Sequence, residues 1–256
     1  MSRIENVFKS GNKALIGYLT AGYPSPEITV KAAAILAESG CDIIELGIPF
    51  SDPLADGATI QHASYEALQQ GISPKSCLEI AAEIRQQIDT PLVFMSYYNP
   101  LLNFGLEAFC RAAAEAGIDG LIIPDLPPEE GDELDTAAGE HDMDLIYLLA
   151  PSSTEERISL VAGKSRGFIY LVSITGVTGA RQSLPADLDG FVKRVREKTG
   201  KPLCIGFGVS NPEQAQRVGQ LADGVIVGSR LIQLIEEDAT LSSLKAAVHS
   251  LRKALS

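Results

Sequence analysis

CDIIELGIPFSDPLADG, running from Cys41 to Gly57, is the stretch whose reading settles the architecture. It opens on a brief apolar run, Cys41–Gly47, too short for a helix and rich in isoleucine. It then breaks into Pro, Ser, Asp and Gly, the residues of a loop. Such a run, bounded by turn residues and followed by a helical pattern, reads as a buried strand feeding a helix. Side chains alternate faces along a strand, so Ile44 and Leu46 share one face and Ile43, Glu45 and Gly47 the other.

The same unit recurs outward in both directions. Apolar runs lie at Ala14–Thr20, Cys41–Gly47, Pro91–Tyr97, Asp119–Pro124, Asp144–Ala150, Gly167–Ile174, Lys201–Phe207 and Asp223–Gly228. Helical patterns fill the intervals. Leu106, Phe109, Cys110 and Ala113 fall on one helical face, as do Ala215, Val218 and Leu221. Asn211-Pro212 and Ser153-Thr154-Glu155-Glu156 read as capped helix starts, and Gly40, Gly117 and Gly200 as stops. This βα alternation implies a parallel sheet. Eight units in 256 residues, with no linker or composition shift, predict a single α/β domain over 1–256, a (β/α)8 TIM barrel. An open doubly wound sheet is the competing architecture. It usually shows GxGxxG after its first strand, where this chain has Thr20-Ala21-Gly22-Tyr23-Pro24.

Composition narrows the function. Hydrophobic residues make up 45% and aromatics 6%, with no Trp, which suits parallel strands covered by helices. The net charge of −12 and the lack of any Lys/Arg run argue against nucleic acid or an anionic membrane as partner. The same acidity means that a phosphate ligand would need a local device to attract it. Cys41, Cys77, Cys110 and Cys204 show no CxxC or CxxH spacing and read as reduced core residues. No apolar stretch approaches the roughly 18 residues of a membrane span. The N-terminus MSRIENVFKSGNK lacks a signal-peptide apolar region, so a cytoplasmic protein is expected.

In a barrel the chemistry lies at the C-terminal ends of the strands. If Ile44 and Leu46 pack on the helices, Glu45 points into the barrel near its top. A desolvated carboxyl there has a raised pKa and suits proton transfer. The competing reading is a structural ion pair, although an acid inside an apolar run is costly without a reason. Asp52 and Asp56 follow in the loop, and on spacing alone each reads as an ordinary turn residue before Pro or Gly rather than a functional one. GVTGAR (Gly176–Arg181), GFGVSNPE (Gly206–Glu213) and GSRLIQ (Gly228–Gln233) follow the last three runs. Glycine permits close backbone approach, and N–H groups at a helix start attract an anion. Barrels commonly hold phosphate at the last two of these loops with a short extra helix, for which Ser229–Glu237 is the candidate. Backbone dipoles rather than lysines would then offset the acidic bulk charge.

Absences discriminate among carbon–carbon cleavage routes. A Schiff-base route needs a lysine at a strand top, and Lys201 stands at the wrong end of its run. A metal route needs clustered ligands, and His62, His141 and His249 are scattered, so no metal site is expected. Acid–base chemistry by Glu45, Asp56 and a tyrosine remains.

The chain resembles the tryptophan synthase α family. ELGIPFSDPLADG (Glu45–Gly57) and YLVSITGVTGAR (Tyr170–Arg181) carry the resemblance, GFGVS and GSRLI follow in the expected order, and it covers essentially the whole chain. It implies a barrel with a short extra N-terminal helix and retro-aldol cleavage of indole-3-glycerol phosphate to indole and glyceraldehyde 3-phosphate. Glu45 matches the family's acid/base, Asp56 the carboxylate on the indole N–H, and Tyr170 a tyrosine beside Glu45. Tyr18, Ile60, Tyr97, Ile122 and Phe207 match pocket positions, and Thr178 a mobile-loop threonine that pairs with Asp56 on closure. Gly179, Gly208, Gly228 and Ser229 match the phosphate-binding backbone. The resemblance further implies an α2β2 heterotetramer with a pyridoxal-phosphate β subunit, no cofactor in this chain, and partner contacts at Asp52, Pro53 and Asn99. The same three residues also read simply as turn residues. Two positions depart from well-known members: Ile174 stands for an arginine, and Tyr18 for a common phenylalanine, which gives the wall a hydroxyl in need of a partner. Competing functions are a stand-alone indole-glycerol-phosphate lyase, another phosphosugar isomerase, and a partner-activating subunit without catalysis.

Overall fold

We describe the protein from a computed structural model, whose described residues are 1–172, 187–206 and 208–256. Its strands are β1 (Ala14–Thr20), β2 (Ile43–Gly47), β3 (Leu92–Met95), β4 (Gly120–Ile122), β5 (Asp144–Ile146), β6 (Leu148–Leu149), β7 (Ile169–Val172), β8 (Leu203–Gly206) and β9 (Gly224–Val227). All pair in parallel, in the order β5-β4-β3-β2-β1-β9-β8-β7-β6. The two ends of that order are halves of one run, because Tyr147 alone separates β5 from β6. The Tyr147 N–H donates to Ser165 Oγ at 3.0 Å, and its carbonyl accepts the Tyr170 N–H at 3.1 Å. The sheet therefore returns on itself as the (β/α)8 TIM barrel. The fifth apolar run supplies both ends of the seam.

Helices α1 (Arg3–Val7), α2 (Pro26–Glu38), α3 (Ala58–Gln69), α4 (Pro74–Arg85), α5 (Tyr98–Phe104), α6 (Leu106–Glu115), α7 (Asp132–Glu140), α8 (Glu155–Lys164), α9 (Leu188–Arg196), α10 (Pro212–Leu221), α11 (Ser229–Glu237) and α12 (Ser242–Ala254) accompany the strands. Local sequence dictates their ends. Ser25, Ser73, Thr154 and Asn211 accept first-turn N–H groups, three of them followed by Pro at the first helical position. Gly40 and Gly117 adopt left-handed φ of 102° and 85° just beyond α2 and α6. Gly200 differs from expectation: α9 has already ended at Arg196, and no left-handed turn is needed there. The predicted face of α6, Leu106, Phe109, Cys110 and Ala113, is the buried one. All four cysteines are buried and free. Among the described residues no helix is long and apolar enough to cross a membrane.

A repeated polar clamp closes the barrel floor. Asp42 accepts the Leu15 N–H at 2.8 Å and Arg252 at 2.7 Å, and Arg252 also donates to the Lys13 carbonyl. Asp119 accepts the Leu92 N–H at 2.9 Å and Arg85 at 2.8 Å, and Arg85 also donates to the Thr90 carbonyl. Asp223 accepts the Leu203 N–H at 2.8 Å and Arg196, which also donates to the Lys201 carbonyl. In each case the aspartate opens one strand, holds the start of the strand before it, and draws in an arginine from a helix. The short helix α1 lies on the same floor, with Ser2 bonded to Asp144 and Arg3 to Asp119.

Candidate active site

The alternation read in β2 places its residues as expected. Ile44 and Leu46 are wholly buried, while Glu45, 1% exposed, lines a cavity at the opposite end of the barrel from the clamps. Neither Glu45 carboxyl oxygen has a hydrogen-bond partner among the described residues. The ion-pair reading therefore has no cation to rest on among the described residues. Burial alone pushes the Glu45 pKa up to about 8, so the group is mainly a neutral acid at pH 7.

Asp56 stands across the same cavity, 6% exposed. It accepts the Tyr97 hydroxyl at 3.2 Å, and Tyr97 Oη in turn accepts the Ala55 N–H at 2.8 Å. Gln61 on α3 donates to the Asp56 carbonyl at 2.9 Å, which ties the loop to the helix that follows it. Burial raises the Asp56 pKa and the Tyr97 bond lowers it, leaving it at about 6. The turn reading that spacing allowed is thus insufficient: the side chain faces the cavity. Two carboxyls in one pocket have been pushed to opposite sides of neutrality, one an acid and the other mainly an anion.

Two tyrosines complete the inner wall, and glycines make room for them. Tyr18 on β1 lies in register with Glu45, and a Cβ at Gly47 would collide with its hydroxyl. Tyr170 on β7 is 3% exposed and lines the cavity, and a Cβ at Gly206 would collide with its hydroxyl. Burial, then Glu45 and then Asp56 hold the Tyr170 pKa far above its ordinary value, so it keeps its proton.

The outer wall comes from the last two loops. Gly208, with a left-handed φ of 91°, and Val209 and Ser210 follow β8, while Gly228, Ser229 and Arg230 open α11. First-turn N–H groups have no acceptor within their own helix, which leaves those of Ser229 and Arg230 available at the cavity wall. The Ser210 N–H is already committed to Gln214 Oε1 at 2.8 Å. The Arg230 guanidinium contacts Gln233 and Glu237 along its own helix.

The structure thus brings Glu45, Asp56, Tyr170, Tyr18, Ile60, Gly208, Gly228 and Ser229 together around one cavity. Tyr97 reaches it through Asp56, and Ile122 is wholly buried at the end of β4 without lining it. Thr178, Gly179, Ile174 and Phe207 lie outside the described residues. Sequence reasoning missed Met95, Val209, Ser210, Ile226 and Arg230 as lining residues. Ile226 was within reach, since it stands two residues before Gly228 on the same strand face. Asp52 and Pro53 lie on the exposed loop above, beside Leu54, which is 86% exposed, and Asn99 lies in the first turn of α5. Among the described residues no cluster of side chains is suited to a metal ion.

A parallel barrel with a neutral acid, an anion and a helix N-terminus converging at its C-terminal mouth defines an acid–base enzyme acting on a phosphorylated substrate. Comparison with known proteins narrows that class. A family profile described as tryptophan synthase alpha chain matches residues 4–254. The tryptophan synthase alpha chain of Dehalococcoides mccartyi is 56% identical over 255 residues, covering 100% of both chains. That of Carboxydothermus hydrogenoformans is 48% identical, over 92% of this chain and 90% of its own. The solved structure of Mycobacterium tuberculosis tryptophan synthase superposes with a TM-score of 0.93 at 42% identity, covering 99% of this chain and 98% of that one. The chain belongs to the tryptophan synthase alpha chain family.

Proposed function

We propose that this chain cleaves indole-3-glycerol phosphate to indole and glyceraldehyde 3-phosphate, as one barrel domain over 1–256 and as the α subunit of an α2β2 tryptophan synthase. The observation that carries the reading is the buried, neutral Glu45, without a hydrogen-bond partner among the described residues, in one cavity with the anionic Asp56. Glu45 gives its proton to C3 of the indole ring, and Asp56 stabilises the positive charge that appears at the ring N–H. The Glu45 carboxylate so formed takes the proton of the side-chain hydroxyl. A carbonyl forms, the bond from the chain to C3 breaks, and its electron pair returns to the ring, leaving indole neutral. Tyr170 and Tyr97 hold these groups from the wall, with Tyr18, Ile60, Ile122 and Phe207 forming the rest of the pocket. The backbone of Gly179, Gly208, Gly228 and Ser229 binds the phosphate. Thr178 pairs with Asp56 when its loop closes, which excludes water.

The chain works in the cytoplasm and needs no cofactor of its own, pyridoxal phosphate belonging to the β subunit. Asp52, Pro53 and Asn99 meet that subunit, and the outward-facing Leu54 beside them supports the assignment. Indole release from indole-3-glycerol phosphate, measured with and without a tryptophan synthase β subunit, tests the proposal. Weak release that rises sharply on adding β is expected. Strong release unchanged by β would make the chain a stand-alone lyase, and none in either case would overturn the reading.

A further inference from the structure

Tyr18 carries a hydroxyl that an apolar wall does not require. The side chain is 5% exposed and lines the cavity. Its root lies against Gly228, where a Cβ would meet Tyr18 Cβ at 3.4 Å, and its hydroxyl lies over Gly47, next to the register position of Glu45. It therefore runs from the phosphate end of the pocket to the carboxyl end. Thr20 Oγ1 donates to Tyr18 Oη at 3.4 Å. That bond occupies a lone pair and fixes the phenol, while the phenol's own proton has no acceptor among the described residues. The ionisable groups that bear on the phenol are Asp56, Glu45 and Tyr97, and Asp56 already receives the Tyr97 hydroxyl. A buried O–H that loses its water when a ligand arrives must find an acceptor on that ligand or weaken binding.

We propose that Tyr18 Oη donates a hydrogen bond to a hydroxyl of the three-carbon chain linking the substrate's phosphate to its ring, and so selects for a hydroxylated chain. The inference rests on the lyase reading above. With phosphate at Gly228 and the ring at Asp56, the stretch of ligand passing Tyr18 is that chain, and its only polar groups are hydroxyls. Phenylalanine keeps the wall and deletes the donor.

The test compares two ligands in wild type and Tyr18→Phe: indole-3-glycerol phosphate as substrate, and indole-3-propyl phosphate, which lacks both chain hydroxyls, as competitive inhibitor. One hydrogen bond corresponds to a KM for the substrate raised about fivefold to tenfold, with the inhibition constant of the dihydroxyl-free analogue unchanged. The unchanged constant also reports an intact fold. An unaltered KM, or a KM and an inhibition constant that rise together, would overturn the proposal and leave Tyr18 as packing only. Wild type without turnover would instead bring down the lyase reading, and this inference with it.

Discussion

Glu45 concentrates the consequences of the site in one carboxyl. Replacement by Gln keeps its shape and removes its proton chemistry, so kcat for indole release is expected to fall at least about 100-fold, the scale of a lost general acid–base group. A residue that still turned over at the wild-type rate without this carboxyl would have been misassigned. The same burial makes Glu45 a pH-dependent burden on the fold. An acid whose pKa is higher folded than unfolded binds more protons in the native state across the interval between the two values, so stability falls as pH rises through it. For Glu45 that interval runs from 4.5 to about 8. Glutamine has no proton to lose, so Glu45→Gln becomes progressively more stable than wild type between pH 5 and 8. Urea midpoints at several pH values check this, and parallel curves would contradict a buried neutral acid. Glu45 was legible because a strand alternates and an acid breaks an apolar run. Asp56 was not legible from spacing, because a loop has no period. Its burial depends on Tyr97, 41 residues away, folding over it.

Between elements, the glycines and the floor clamps carry most of what sequence could not show. Gly47 touches no substrate, yet its missing Cβ is the space that Tyr18 Oη occupies. Gly47→Ala is therefore expected to cost about 1–3 kcal/mol through overpacking and to displace Tyr18, lowering kcat/KM as well as Tm. A loss of stability without loss of activity would show that the tyrosine can shift harmlessly. The clamps call for the opposite result. Asp119, 12% exposed at its side chain, holds Arg85, Arg3 and the Leu92 N–H, and its removal leaves the largely buried Arg85 guanidinium with backbone carbonyls but without its carboxylate. Asp119→Ala is expected to cost about 3 kcal/mol, or roughly 6–12 °C in Tm, with kcat unchanged because the clamp lies at the far end of the barrel. Strand and helix order were readable from periodicity, since each element is local. Arg252 and Asp42 are separated by 210 residues, and no periodicity announces such a pair. The clamp recurs at the openings of β2, β4 and β9. At the opening of β7 the matching residue, whose N–H bonds the Leu145 carbonyl, is Arg166 instead of an aspartate. That break in the pattern lies beside the seam at Tyr147.

At the scale of the molecule, a charge of −12 repels the phosphate that the site must bind. In the proposed phosphate site, local N–H groups at Ser229 and Arg230 are what would outweigh it at short range. Substrate without its phosphate is accordingly expected to lose at least about 100-fold in kcat/KM, as two charge-assisted hydrogen bonds disappear. Equal turnover of the two substrates would refute the phosphate site. The barrel and the mouth at which it acts followed from eight repeated units read along the chain. The seam did not, because nothing in Asp144–Ala150 marks Tyr147 as the place where the ladder changes partners. Its consequence reaches beyond catalysis. An open sheet ends in unpaired N–H and C=O groups, and these are a template on which other chains add. Here Tyr147 hands the ladder from β4 to β7 with its N–H on Ser165 and its carbonyl on Tyr170. The 36 residues of these strands are thereby left without a growing edge among the described residues, and the folded barrel offers no open ladder on which a further chain could add.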